Sequence, residues 1–122
     1  TRLEAAIASK HGVPYVAVKV EQMVGVVLLV FVRPQLAATA SHLHADTVKT
    51  GFGGAAGNKG GVAVRMRLGE AELCFINSHL AAGSKNFEER NNDHAEVRAA
   101  ASPAPAVSDD GALSPTQPPF RP

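Results

Sequence analysis

The chain has no tryptophan, one tyrosine and one cysteine in 122 residues. With Cys74 alone, an intramolecular disulfide is excluded, and a reducing compartment is the expected setting. A charge excess is lacking too: twelve Lys and Arg stand against eleven Asp and Glu, for a formal net of +1. A general polyanion binder carries a basic face, so nucleic acid is not an expected partner, although a local basic site stays open. Long apolar runs are missing as well. The most apolar, Met23 to Val32, falls short of the ~20 residues that a membrane-spanning helix needs. The opening TRLEAAIASK is charged and has no apolar core, so it does not read as a signal peptide. Starting without methionine, the chain reads as a piece of something longer, with room for one small domain.

What is present has a readable order. Leu3, Ile7 and the alanines between them predict a helix, stopped at Gly12 with Pro14 beyond. Tyr15 to Val20 alternates like a half-buried strand. Met23 to Val32 predicts a second strand, buried on both faces and ended by Arg33-Pro34. A short helical turn is expected within Gln35 to Ser41, and a weak strand over Ala45 to Lys49. Val62, Val64, Met66 and Leu68 alternate with Ala63, Arg65 and Arg67, which predicts another strand. Gly69-Glu70 then turns the chain, and Leu73 to Ile76 returns as the second arm of a hairpin with Asn77-Ser78-His79-Leu80 as its exit. Asn86 to Arg98 is rich in Glu, Arg, Asn and Asp and predicts a surface helix. From Ala99 the composition changes: residues 99–122 hold six of the eight prolines and few large apolar side chains, so they read as a disordered tail.

Between two β-branched runs lies TVKTGFGGAAGNKGGVAVR, Thr47 to Arg65, with six glycines. It is not a Walker A loop, because Asn58 separates Gly57 from Lys59 and Gly60 stands where a hydroxyl should bind magnesium. The loose dinucleotide fingerprint Gly51-Phe-Gly53-Gly-Ala-Ala56 needs a helix next, and the following segment has a strand pattern. Two readings stay open: a strand connection in which glycines supply sharp turns, or part of an anion site. The inferred hairpin favours the second. It places Lys59 just before one strand and His79 just after the other, so a cation, the amide of Asn77 and an imidazole meet at one rim.

The loop, followed by LCFINSHLAAG and FEERNND, resembles the inositol polyphosphate 5-phosphatases, in particular their synaptojanin-type members. EQMVGVVLLVFVRPQ resembles the same family's Q-L-V-G strand and the turn after it, so the likeness spans Tyr15 to Val97. The resemblance implies an α+β fold, an incomplete endonuclease/exonuclease/phosphatase (deoxyribonuclease-like) β-sandwich flanked by helices, over residues 1–98. It implies Mg2+-dependent removal of the 5-phosphate from phosphoinositide lipids or soluble inositol phosphates, in a cytoplasmic protein peripheral to membranes. His79, in the family's S-H-L segment, is expected to hydrogen-bond a non-bridging oxygen of the scissile phosphate. Asn58 and Lys59, in the G-N-K-G block, are expected either near the substrate phosphates or as a turn residue and a solvated cation. Phe52 matches a membrane-facing loop, or it packs on its own domain.

Other candidates are weaker. His42 and His44 share a face in an extended segment, but two ligands do not complete a metal site. Ser78 and His79 are strand neighbours and point to opposite faces, so they form no hydrolase dyad. Cys74, inside an apolar strand, reads as core. Glu88, Glu89 and Arg90 form a charged helix start, with Arg90 a partner for an acid. Pro115-Thr-Gln-Pro118 fits a minimal SH3 ligand. The resemblance also implies an upstream metal-binding glutamate and downstream W-x-G-D-x-N and P-[AS]-W-C-D-R blocks, and none follows Val97 in this sequence. The Mg2+ ligands are therefore expected to be absent, and the isolated chain is expected to be inactive. A non-catalytic phosphoinositide-membrane or SH3-binding module is the alternative.

Overall fold

A computed structural model describes residues 1–51 and 57–102. Phe52, the segment 103–122 and with it Pro115 to Pro118 lie outside the described residues. The order is α1 (Arg2–His11), β1 (Val16–Met23), β2 (Val26–Val32), α2 (Pro34–Ala37), β3 (Ala40–Lys49), β4 (Gly60–Leu68), β5 (Ala71–His79) and α3 (Phe87–Ala101). No helix among the described residues is long and apolar enough to cross a membrane.

Helix α1 begins at a capping box. Thr1 accepts the Glu4 N–H through its side chain, and Gly12 closes the other end with its N–H on the Ala8 carbonyl (2.9 Å). Glu4 also accepts the Ala17 N–H (2.9 Å), which ties the helix to the start of β1.

Strands β1 and β2 form an antiparallel hairpin in which Met23 faces Val26. The apolar run from Met23 to Val32 is therefore not one strand: Val24 and Gly25 turn the chain, and Met23 belongs to the preceding strand. Nor is β2 buried on both faces. Val26, Val30 and Val32 are buried, whereas Val27 and Leu29 on the other face are exposed. In β1 the expected alternation breaks at a bulge between Ala17 and Lys19. The extra residue sends Val18 to the core and leaves Val16 and Val20 exposed.

Strands β3, β4 and β5 form an antiparallel meander with β4 in the centre. The two sheets meet through Val30 and Val32 of β2 and Val64 and Met66 of β4. On the opposite face of β4 lies α3, whose Asp93, Val97 and Ala101 are buried at spacings of one helical repeat. The charged segment is thus no simple surface helix. It continues to Ala101, past Arg98 where the composition changes, through alanines of high helix propensity.

This layering explains two of the glycines. Gly60 has φ +138°, and a Cβ there would stand 1.9 Å from the Val48 carbonyl oxygen of the adjacent strand. At Gly61 a Cβ would come within 2.5 Å of Val97 Cγ1, so its absence lets α3 lie directly on β4. The end of the glycine loop serves strand approach and helix packing.

Cys74 is exposed rather than a core residue. It faces Arg65 across the β4–β5 ladder, and its Sγ lies 3.9 Å from the Ala101 carbonyl. The end of α3 covers only part of it.

Candidate functional site

Strand register builds the rim. Gly60 pairs with Lys49 on one side and His79 on the other, so the ends of all three strands align. One step further the Thr50 N–H donates to the Lys59 carbonyl (3.1 Å) and closes the base of the loop. Lys59 therefore leaves the sheet beside His79, and its Nζ reaches His79 Nε2 at 2.7 Å. Both side chains are half-buried. An ammonium group can only donate, so Nε2 is the acceptor and the ring proton sits on Nδ1.

Asn58 lies against the β1–β2 turn: a Cβ built on Gly25 would stand 3.6 Å from Asn58 Cβ. Asn77 is exposed and donates its amide to the Val27 carbonyl (2.8 Å), bridging the sheets instead of joining Lys59 and His79. The expected group of cation, amide and imidazole is thus a pair, with Asn77 turned to the neighbouring sheet.

Lys59 and Asn58 also line a cleft of about 510 Å³ together with Ala81, Ala82 and the Glu89, Asp93 and Glu96 carboxylates of α3. An anion is favoured next to Lys59 and disfavoured near those carboxylates.

The segment after His79 is fastened by α3. Asp93 accepts the Ala81 N–H (2.9 Å), and Arg90 donates to the Ala81 carbonyl (3.3 Å) and to that of Gly83. Asn86 donates its amide to the Ala82 carbonyl (2.8 Å). Arg90 thus engages backbone oxygens, not an acid. Sequence reasoning missed Asp93. The available signal was its place four residues before Val97 on an otherwise polar helix, a spacing that aligns it with the buried face.

The remaining candidates disperse. His42 sits at a β3 bulge with φ +50°, its Nδ1 3.1 Å from Ser41 Oγ. His44 Nε2 lies 3.8 Å from Asp46 Oδ1. Ser78 pairs with Gly61, out of line with His79.

A two-sheet α+β layer with a cation–imidazole pair at the strand ends defines the class. The chain belongs to the endonuclease/exonuclease/phosphatase family: the profile described as Endonuclease/Exonuclease/phosphatase family 2 matches residues 1–112. Synaptojanin-1 of Rattus norvegicus is 53% identical over 83 residues, covering 68% of this chain and 5% of that protein. Synaptojanin-2 of Homo sapiens is 44% identical over 96 residues (79% and 6%). Type II inositol 1,4,5-trisphosphate 5-phosphatase of Mus musculus is 45% identical over 83 residues (68% and 8%). The inositol polyphosphate 5-phosphatase domain of SPsynaptojanin, in complex with inositol (1,4)-bisphosphate and calcium ion, superposes with a TM-score of 0.66 at 34% identity. That superposition covers 76% of this chain and 27% of the other. The chain is part of such a domain and spans 5–8% of the length of these curated relatives.

Among the described residues no three His, Cys, Asp or Glu side chains converge. Asp93, their one buried carboxylate, is already taken by the Ala81 N–H. These residues do not fit a divalent cation on their own.

Proposed function

We propose that this chain carries the phosphate-contacting rim of an inositol polyphosphate 5-phosphatase. The reaction is hydrolysis of the 5-phosphate monoester of a phosphoinositide lipid or soluble inositol phosphate. Water adds to phosphorus, the bond to the inositol oxygen breaks, and inorganic phosphate and an inositol hydroxyl result. The single observation that carries this reading is the 2.7 Å contact of Lys59 Nζ with His79 Nε2 at the strand ends. A phosphate oxygen is a stronger acceptor for an ammonium than a neutral imidazole is, so an arriving phosphate draws Lys59 to itself. Once the released ring's proton has moved from Nδ1 to Nε2 by exchange with solvent, an N–H at Nε2 faces a non-bridging oxygen, where negative charge grows as water attacks. Asn58 offers its amide from the same loop.

In this reading the metal is Mg2+, and its ligands and the base for the attacking water lie outside the described residues. Phe52 approaches the membrane surface, the setting is cytoplasmic and peripheral to membranes, and Pro115 to Pro118 offers an SH3 ligand. Among its described residues the chain holds a rim without a metal site, and alone it is expected to be inactive. Incubating it with Mg2+ and phosphatidylinositol 4,5-bisphosphate should release no phosphate, and steady release would overturn that statement. Sedimentation with vesicles containing the same lipid should fall on Lys59→Ala. Equal sedimentation of the two proteins would remove Lys59 from the site.

A further inference from the structure

Helix α3 reaches both members of the rim pair by separate means. Val97 fills the space over Gly61, next to the point where Lys59 enters β4. A turn earlier, Asp93 and Arg90 grip the peptide of Ala81, two residues after His79: the carboxylate takes its N–H and the guanidinium its carbonyl. Arg90 reaches the Gly83 carbonyl as well, and Asn86 holds that of Ala82. The side-chain amide of Asn86 makes no capping bond to its own helix and is spent on this loop instead. Asp93 is only 5% exposed, and among the described residues its hydrogen-bond partner is a single backbone N–H. Burying a carboxylate is costly unless hydrogen bonds offset the lost solvation.

From this geometry we infer that Asp93 and Arg90 are positioning residues: they fix the exit of β5 so that His79 meets Lys59, and with it the phosphate. The inference rests on the rim function proposed above and extends it to α3. Asp93 lines the same cleft as Lys59 and acts through the Ala81 peptide, which sets where the chain leaves His79 and how far the imidazole stands from Lys59. Charge matters as well as shape, because an ionised acceptor shortens and strengthens the bond it receives.

The test uses the whole chain labelled with 15N, reading the ring nitrogens of His79 and, separately, the affinity for inositol 1,4,5-trisphosphate. Wild type should show His79 as one tautomer, protonated at Nδ1 and accepting at Nε2. Asp93→Ala should lose that signature and weaken inositol 1,4,5-trisphosphate about tenfold, the scale of one charge-assisted hydrogen bond. Asp93→Asn, which keeps an acceptor oxygen, should restore most of the ring signature. Arg90→Met, at a half-exposed position that does not threaten the core, should loosen the ring in the same direction and provides the result if Asp93→Ala fails to fold. An unchanged His79 ring in a folded Asp93→Ala and in Arg90→Met would overturn the inference. If wild type binds no inositol 1,4,5-trisphosphate while the ring still responds to Asp93, the rim function fails and the positioning stands.

Discussion

Strands β4 and β5 are paired residue for residue from Gly60↔His79 to Leu68↔Ala71, yet they live in different surroundings. β4 has a strand on each side, a sheet on one face and α3 on the other, and Val62 and Val64 are 0% exposed. β5 pairs among the described residues only with β4, and its Phe75 and Ile76 are 38% and 47% exposed. Their sequences reflect this. β4 spends its positions on glycine, alanine and valine, which allow close approach from every direction. β5 ends in Asn77, Ser78 and His79. The central strand holds the layers together, and the edge strand delivers the imidazole that its neighbour's Lys59 meets.

The sharpest break in that comparison is at Gly60. Gly60→Ala would set a Cβ against the Val48 carbonyl at a positive φ. A loss of about 3 kcal/mol or more is expected, seen as a collapsed denaturation midpoint. Val64→Ala, emptying a position with no exposed surface, should cost about 2–3 kcal/mol. Ile76→Ala on the paired edge strand should cost under about 1 kcal/mol. Equal losses at Val64 and Ile76 in the same urea titration would erase the distinction between the strands.

Gly61 tests the helix side. Gly61→Ala alone should cost about 1–3 kcal/mol through contact with Val97. Combining it with Val97→Ala should recover part of that loss, because the two changes share one space. Strict additivity in the double-mutant cycle would mean that α3 does not rest there. The smallest expected effect concerns Cys74. Desolvation raises its thiol pKa above the ordinary value, with smaller influences from Arg65 and Asp46. A thiol whose pKa is raised on folding holds its proton to higher pH, so folding gains nothing from it at low pH and loses stability as pH rises past the unfolded value. Alkylation with iodoacetamide at mildly alkaline pH should therefore be slower in the native chain than in urea.

How much of this was legible in the sequence follows from the range of the forces involved. The β4–β5 hairpin and the meeting of Lys59 with His79 were readable, because strand alternation and a two-residue turn fix register locally. The stop of α1 at Gly12 is local in the same way. The turn at Val24-Gly25 was hidden inside an apolar run, since hydrophobicity reports burial but not where a chain reverses. The one-sided burial of β2 and the exposure of Cys74 depend on which layers lie above each sheet, and no local pattern states that. Arg90 looked like part of a charged helix start, and Asp93 like one more polar residue of a surface helix. Only the helix lying on β4 turns them toward Ala81. Asn77 was placed at the rim by position, but its amide found the Val27 carbonyl of the other sheet.

The most direct measurement of the central claim is a calorimetric titration of inositol 1,4,5-trisphosphate, which carries the 5-phosphate, into the chain, its Lys59→Ala and His79→Ala variants and the double variant. A rim built as a pair predicts measurable binding by wild type and a loss of about tenfold or more in each variant, with the double variant little worse than either alone. Equal affinity in all four proteins would contradict it.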